Sequence, residues 1–128
     1  MKQLAERIKP YFQLLRIGNL LFIAILLYVM EKWVATPLLQ LAQFYEQMPW
    51  WVLTLLIMST ICIAAGGYII NDYFDVKIDR INHPEDFVVT RYISREGAMR
   101  LFQVLTILGV IMGLVVAWWA RSWTLVMI

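Results

Sequence analysis

The chain has 128 residues, of which 62% are hydrophobic, and its formal net charge is only +2. A soluble domain is about 45–50% apolar, so this composition, with a mean hydropathy of +0.70, predicts a membrane protein. The small net charge and the lack of a long basic tract argue against nucleic acid as a partner. The single cysteine, Cys62, excludes a disulfide within the chain and is interpreted as a small buried hydrophobe.

The first half of the chain begins with an amphipathic pattern over residues 1–16, which predicts a short helix lying in the membrane interface. An apolar stretch of about 17–34 predicts the first span, because a bilayer needs about 20 such residues. Glu31 and Lys32 are interpreted as marking its far end. Residues 35–49 are predicted to form a short external connection.

The second half of the chain predicts further spans at about 50–70 and 101–120, both without a charged residue. Between them, residues 71–100 are polar and are interpreted as one loop that carries the main motif. The pattern after Arg121 is interpreted as the beginning of a fourth span. The predicted fold is an all-α, multi-span transmembrane helix bundle. Residues 1–128 are expected to be the N-terminal fragment of a longer domain, inactive by itself.

The orientation follows from the basic residues that flank the spans. Nine Lys and Arg residues lie in the N-terminal segment and in the 71–100 region, whereas only Lys32 and Arg121 lie on the opposite side. The sequence therefore predicts a multi-pass protein of the cytoplasmic (inner) membrane, with its N-terminus and the motif region in the cytoplasm.

Three carboxylates, Asp72, Asp75 and Asp79, follow the second span at positions i, i+3 and i+7, which places them on one side of a continuing helix. Carboxylates so close together repel each other unless a cation lies between them. Oxygen ligands favour a hard ion such as Mg²⁺, which keeps positions open for phosphate oxygens. The pattern predicts a metal site in which Asn71 faces Asp75.

Further candidates for binding a phosphorylated substrate lie at the same membrane surface. Arg16 and Asn19 are three residues apart at the start of the first span, and a guanidinium binds phosphate through a planar fork of donors. Arg91 is the preferred candidate among the basic residues of the 71–100 region. Ser94, followed by Glu96, predicts the start of the third helix.

Three segments of the chain resemble motifs of a known family. The sequence of Asn71–Asp79, N-D-Y-F-D-V-K-I-D, is similar to the first aspartate-rich motif, N-D-x-x-D-x-x-x-D, of the UbiA-type membrane prenyltransferases. Residues 16–19 read R-I-G-N and resemble that family's R-x-x-N motif. Residues 93–98 resemble the segment that opens its third helix. The resemblance covers essentially the whole chain.

The resemblance implies an enzyme of about nine spans that transfers an isoprenyl group from a polyprenyl diphosphate to an aromatic or glycerol-phosphate-type acceptor in the membrane. In this family Mg²⁺ is held by two aspartate-rich motifs. Asp72, Asp75 and Asp79 match the first motif and take the catalytic and metal-binding roles, and the second motif has no counterpart here. The resemblance assigns substrate binding to Arg16, Asn19, Asn71 and Arg91.

Some features leave other interpretations open. Residues 84–87 read P-E-D-F, so Asp86 stands where many members have a basic residue, which is compatible with a diverged or inactive copy. The CDP-alcohol phosphotransferases also place carboxylates at the end of a span, but they need glycine where this chain has Tyr73. A third interpretation is a non-catalytic membrane subunit or a cation-binding transporter fragment.

Overall fold

The computed structural model describes residues 9–43, 48–82 and 93–126, with side chains described for 9–43, 48–75 and 93–121. Its elements are all helical and follow one another along the chain. They are α1, described over residues 9–14; α2, Ile17–Met30; a π-helical turn, Glu31–Ala35; α3, Thr36–Leu41; α4, Trp50–Asn82; and α5, Arg95–Val126. The predicted all-α class is confirmed.

Three helical stretches are long and apolar enough to cross a membrane: Ile17–Leu41, Trp50–Asp75 and Arg95–Arg121. Each includes one of the three predicted spans. Their surfaces are largely uncovered by the rest of the described chain, and large apolar side chains such as Phe22, Ile111 and Trp118 are exposed. A soluble monomer rarely exposes so much apolar surface, so the protein is a multi-pass membrane protein.

The first span is longer than predicted, because the helix does not stop at Glu31 and Lys32 but continues to Leu41. Pro37 has no backbone N–H and would break an ordinary α-helical register. The π-helical turn that precedes it changes the hydrogen-bond register, and Pro37 then falls in the first turn of α3. The expected connection at 35–49 therefore begins only after Leu41.

Glu31 lies in this π-helical turn and is only 7% exposed. Its Oε1 accepts a hydrogen bond of 3.0 Å from Thr36 Oγ1. Its Oε2 lies 3.1 Å from Lys32 Nζ but makes no hydrogen bond of good geometry. The pair that was interpreted as marking the end of a span is thus partly buried inside a continuous helical stretch.

Helix α4 continues past Ile70 to Asn82, and α5 begins at Arg95. Residues 71–82 and 95–100 are therefore helical, as the spacing of the aspartates and Ser94 predict, within the region 71–100 between the second and third spans. Ser94 caps α5 as predicted, since its Oγ accepts a hydrogen bond of 3.0 Å from Gly97 N. Helix α5 also continues through Arg121 to Val126, so no separate fourth helix begins within the described residues.

Helix α4 is the central element and packs against α5 on one side and α2 on another. Small residues allow close packing with α5: Ser59 Oγ donates a buried hydrogen bond of 2.7 Å to Gly109 O. Near the end of α4 that carries the aspartates, Leu14, Ile69 and Ala98 form a buried cluster. This cluster joins α1, α4 and α5, and so fixes where the aspartates emerge.

Candidate functional site

The aspartates project from the last turns of α4, as the helical continuation predicts. Asp72 and Asp75 lie three residues apart, and both are partly exposed. Asn71 Nδ2 donates a hydrogen bond of 2.9 Å to Asp75 Oδ2, which confirms the predicted i, i+4 pairing. Asp79 lies on the same helix, and its side chain is outside the described residues. The chain thus presents at least two carboxylates and an amide together.

Arg16 reaches this group from the junction of α1 and α2. Its Nη2 lies 3.2 Å from Asp72 Oδ1, within hydrogen-bonding distance. The guanidinium carbon also lies 5.1 Å from the centre of the Tyr68 ring, a cation–π distance. The side chain of Arg16 is 45% exposed and that of Asp72 is 23% exposed, so the pair remains accessible to an incoming anion.

The backbone of Arg16 explains how this reach is achieved. Its φ of 50° and ψ of 53° place it in the left-handed region, which is uncommon for a residue other than glycine. Asn19 N donates a hydrogen bond of 2.8 Å to Arg16 O and restarts the helix. The chain therefore changes direction at Arg16. Backbone strain at a residue with a charged side chain is often associated with function.

Asn19 lies beside Arg16 and is exposed, and both side chains line one open cleft between α1 and α2. The structure thus brings Arg16 to the aspartates and places Asn19 on the neighbouring cleft. Arg91, the fourth predicted substrate-binding group, lies outside the described residues, as does Asp86. The predicted roles of these residues remain predictions.

Two aromatic residues at the site were missed by the sequence analysis. Tyr68 stands four residues before Asp72, and this spacing places it on the same face of α4. Tyr73 packs under the guanidinium of Arg95, whose carbon lies 4.5 Å from the ring centre. A search for aromatic residues at i−4 and i+1 of each aspartate would have found both. The Arg95–Tyr73 contact connects the start of α5 to the motif.

The two adjacent glycines of α4 have different surroundings. A Cβ added at Gly66 would lie 3.0 Å from Thr106 Oγ1, so this glycine permits close packing with α5. A Cβ added at Gly67 would meet nothing within 4 Å. Gly67 lies four residues before Asn71, and both are exposed. An open helix face therefore leads from the amide and carboxylate groups toward the membrane interior.

The donor set fits a hard divalent cation. Carboxylate and amide oxygens are the ligands that Mg²⁺ and Ca²⁺ prefer, and Mg²⁺ commonly uses only one or two protein carboxylates beside phosphate oxygens. Within the described side chains, no third His, Cys, Asp or Glu joins Asp72 and Asp75. Asp79 follows at the spacing that returns to the same helix face. The arrangement can place a cation and an arginine against one anionic group.

Comparison with known proteins identifies the family. The sequence profile described as the UbiA prenyltransferase family matches residues 32–128. Two archaeal proteins named digeranylgeranylglyceryl phosphate synthase are among the similar sequences. The protein from Sulfurisphaera tokodaii is 34% identical over 109 residues, covering 82% of this chain and 34% of the relative. The protein from Ignicoccus hospitalis is 47% identical over 58 residues, which cover 45% of this chain and 19% of the relative.

A third protein of that name, from Methanobrevibacter smithii, is 28% identical over 117 residues, which cover 89% of this chain and 36% of the relative. The chain therefore spans well under half the length of the relatives it matches. No solved structure matches it significantly. The profile match covers most of the chain and includes the whole aspartate motif, and the chain therefore belongs to the UbiA prenyltransferase family.

Proposed function

We propose that the protein transfers an isoprenyl group from an isoprenyl diphosphate to a hydroxyl of a glycerol-phosphate-type acceptor in the membrane. The main support for the proposal is the hydrogen bond between Arg16 and Asp72 at the end of α4, where Asn71 also donates a hydrogen bond to Asp75. A guanidinium beside clustered oxygen ligands suits a metal-bound diphosphate. The names of the relatives support a glycerol-phosphate acceptor over an aromatic one.

The proposed metal is Mg²⁺, held by Asp72 and Asp75 together with Asp79. This family is generally metal-dependent, and the oxygen donors present fit the ion. When bound, the ion neutralises the negative charge that develops on the departing diphosphate. Asn71 orients Asp75 through the hydrogen bond that it donates.

Arg16 is proposed to bind the diphosphate directly. Its guanidinium lies against Asp72 and the face of Tyr68. An exposed ion pair of this kind is worth only about 0.2–1 kcal/mol. The pair can therefore open at little cost when phosphate oxygens offer the guanidinium a bidentate partner.

The transfer breaks the bond between the allylic carbon and the diphosphate oxygen and forms an ether bond to the acceptor oxygen. The bonding electrons leave with the diphosphate, and the hydroxyl proton passes to solvent or to the released diphosphate. The acceptor attacks a carbon with developing positive charge, so the departing group needs the stronger assistance. The cationic and metal-binding groups of this chain are concentrated where that group would lie.

The site is proposed to lie at the cytoplasmic face of the membrane. Residues 1–128 would supply the N-terminal part of a polytopic prenyltransferase domain, with the aspartates at the cytoplasmic surface of the inner membrane. The excess of basic residues around the first helix and after the second span supports this orientation. The bilayer itself would hold the acceptor, and the exposed helical surfaces would lie against lipid or further helices of the domain.

Replacing Asp75 by Asn tests the proposal in the complete gene product. The change keeps the shape of the side chain but removes the charge, and prenyl transfer with Mg²⁺ should fall about 100-fold or more. The matched control is Glu96→Gln, at the same membrane surface, where the carboxylate is 86% exposed and only weakly paired with Arg100. Transfer of radiolabelled geranylgeranyl to geranylgeranylglyceryl phosphate is measured.

Full turnover by the Asp75→Asn protein would remove the metal role from this residue. Turnover with 4-hydroxybenzoate, but none with the glycerol phosphate acceptor, would replace the proposed acceptor by an aromatic one. A wild-type protein that binds Mg²⁺ yet transfers no prenyl group to either acceptor would favour a cation-binding membrane subunit.

A further inference from the structure

The cleft between α1 and the start of α2 contains an ammonium and two carboxamide groups, those of Lys9, Gln13 and Asn19, to which the proposed transfer has given no role. It has a volume of about 410 Å³, and its polar lining comes from Lys9, Gln13, Arg16 and Asn19. Among the described residues, none of those that line the cleft is acidic. We propose that this cleft binds the phosphate monoester of the acceptor, with Lys9 as its principal cation. The inference rests on the proposed function and assigns the acceptor a place within it.

The local fold explains why these side chains converge. Lys9 and Gln13 are four residues apart on α1 and therefore lie on one face of that helix. The left-handed backbone at Arg16 then turns the chain into α2, and Asn19, in the first turn of α2, also lines the cleft. A Cβ at Gly18 would meet nothing within 4 Å, so space remains open beside its backbone.

The chemistry of the lining favours a phosphate monoester. An ammonium and a guanidinium match the charge of a dianion, and the two carboxamides add donors without adding opposing charge. The volume of about 410 Å³ corresponds to more than ten waters of about 30 Å³ each. The cleft thus has room for a phosphate together with the glycerol unit attached to it.

The position of the cleft matches the geometry that the reaction demands. In a glycerol phosphate acceptor, only a few covalent bonds separate the attacking hydroxyl from the phosphorus atom. The acceptor phosphate must therefore lie close to the departing diphosphate, and two such anions repel each other unless a cation lies between them. Arg16 lines the cleft and also reaches Asp72 at 3.2 Å, so this one cationic residue adjoins both proposed anion sites.

The level in the membrane also fits an amphiphilic acceptor. The cleft lies where the first span begins at Ile17, so it is at the boundary between water and lipid. Phe12 is exposed beside it, and apolar side chains at this level contact lipid tails. An isoprenylated glycerol phosphate would place its phosphate in the cleft and its chain in the bilayer.

The test is steady-state kinetics of the complete gene product in neutral phosphatidylcholine vesicles. Lys9→Gln should raise KM for geranylgeranylglyceryl phosphate about tenfold or more, because a charge-assisted contact is lost. KM for geranylgeranyl diphosphate and kcat should remain within about twofold of wild type by the same reasoning. Lys9→Arg should restore the low KM. Arg100→Gln is the control, since Arg100 is 78% exposed at the same membrane end and does not line this cleft.

Two further arms identify the source of the phosphate. Inorganic phosphate should compete with the acceptor in the wild type and lose that competition in Lys9→Gln. If the Lys9→Gln defect arises only when phosphatidylglycerol is added to the vesicles, a bilayer headgroup occupies the cleft and the acceptor assignment is overturned. Unchanged acceptor KM in Lys9→Gln, with an active wild type and an inactive Asp75→Asn, overturns the cleft assignment alone. An inactive wild type overturns the proposed function instead.

Discussion

Gly109 packs its backbone directly against α4, and its replacement by alanine is expected to push α4 and α5 apart. An added Cβ would lie 2.7 Å from Ile63 Cγ1, 3.1 Å from Ser59 O and 3.3 Å from Cys62 Cβ. Carbon atoms pack best at about 3.5–4.0 Å. Ile63 can change its rotamer, but the carbonyl of Ser59 belongs to the helix backbone, so α5 itself must move.

The magnitude follows from two opposing terms. Overpacking of this kind costs about 1–3 kcal/mol, whereas alanine is a better helix former than glycine by about 0.8–1 kcal/mol. The two ranges leave a net loss of about 0–2 kcal/mol for Gly109→Ala, and the contact with the backbone carbonyl of Ser59 favours the upper half of that range. Gly66→Ala should cost less, because its nearest neighbour is a side-chain atom, Thr106 Oγ1 at 3.0 Å, and the nearest backbone atom is 3.7 Å away. Gly67→Ala should raise stability by up to about 0.8–1 kcal/mol, because its surroundings are open and only the gain in helix propensity applies.

The series is measured as the midpoint of SDS-induced unfolding of the purified protein in mixed micelles. The midpoint should be highest for Gly67→Ala, lower for Gly66→Ala and lowest for Gly109→Ala. Adding Ile63→Ala to Gly109→Ala should recover part of the loss, because it removes the atom at 2.7 Å. Equal midpoints for Gly109→Ala and Gly67→Ala would refute the close approach of α4 and α5 at this position.

Three further predictions concern single contacts. Neutralising Arg16 and Asp72 singly and together should reveal a coupling below about 1 kcal/mol in the free energy of unfolding, whereas Arg16→Gln should strongly lower the rate of prenyl transfer. A large coupling in stability together with a normal transfer rate would show that the pair is only structural. Arg95→Gln should lower the free energy of unfolding by about 0.5–1 kcal/mol, because the contact with Tyr73 is lost. In a protein that already carries Tyr73→Leu, Arg95→Gln should leave the free energy of unfolding unchanged, and a further loss there would contradict this cause. Ser59→Ala should lower the SDS midpoint by the equivalent of about 0.6–1.7 kcal/mol, the range for hydrogen bonds between membrane helices, and an unchanged midpoint would contradict the buried bond to α5.

The three spans were predictable because long apolar stretches permit few other structures in a membrane. Their ends were not. Pro37 and the Glu31–Lys32 pair both suggest an early stop, but a π-helical turn accommodates the proline and the helix reaches Leu41. Arg121 similarly suggests a boundary, yet α5 continues past it, since a long basic side chain can extend to the interface from a helix end.

The candidate site was predictable in its composition more than in its contacts. The spacing of the aspartates places Asp72 and Asp75 on one face of a helix, and the predicted Asn71–Asp75 pairing is present. The approach of Arg16 to Asp72 depends on the left-handed backbone at Arg16. Leu14, two residues earlier, packs against Ile69 of α4, so the turn at Arg16 accompanies a tertiary contact that a single sequence does not signal.

The buried Glu31 has a consequence for the thickness of membrane that suits this protein. Glu31 is 15 residues beyond Arg16, or roughly 22 Å along a helix, which is less than the ~30 Å depth of a hydrocarbon core. If Arg16 lies at one headgroup layer, the Glu31–Lys32 pair does not reach the opposite headgroup layer and lies within the hydrocarbon core. Lipids with shorter acyl chains would bring that pair nearer to water, so the first span should be held most firmly in a thin bilayer.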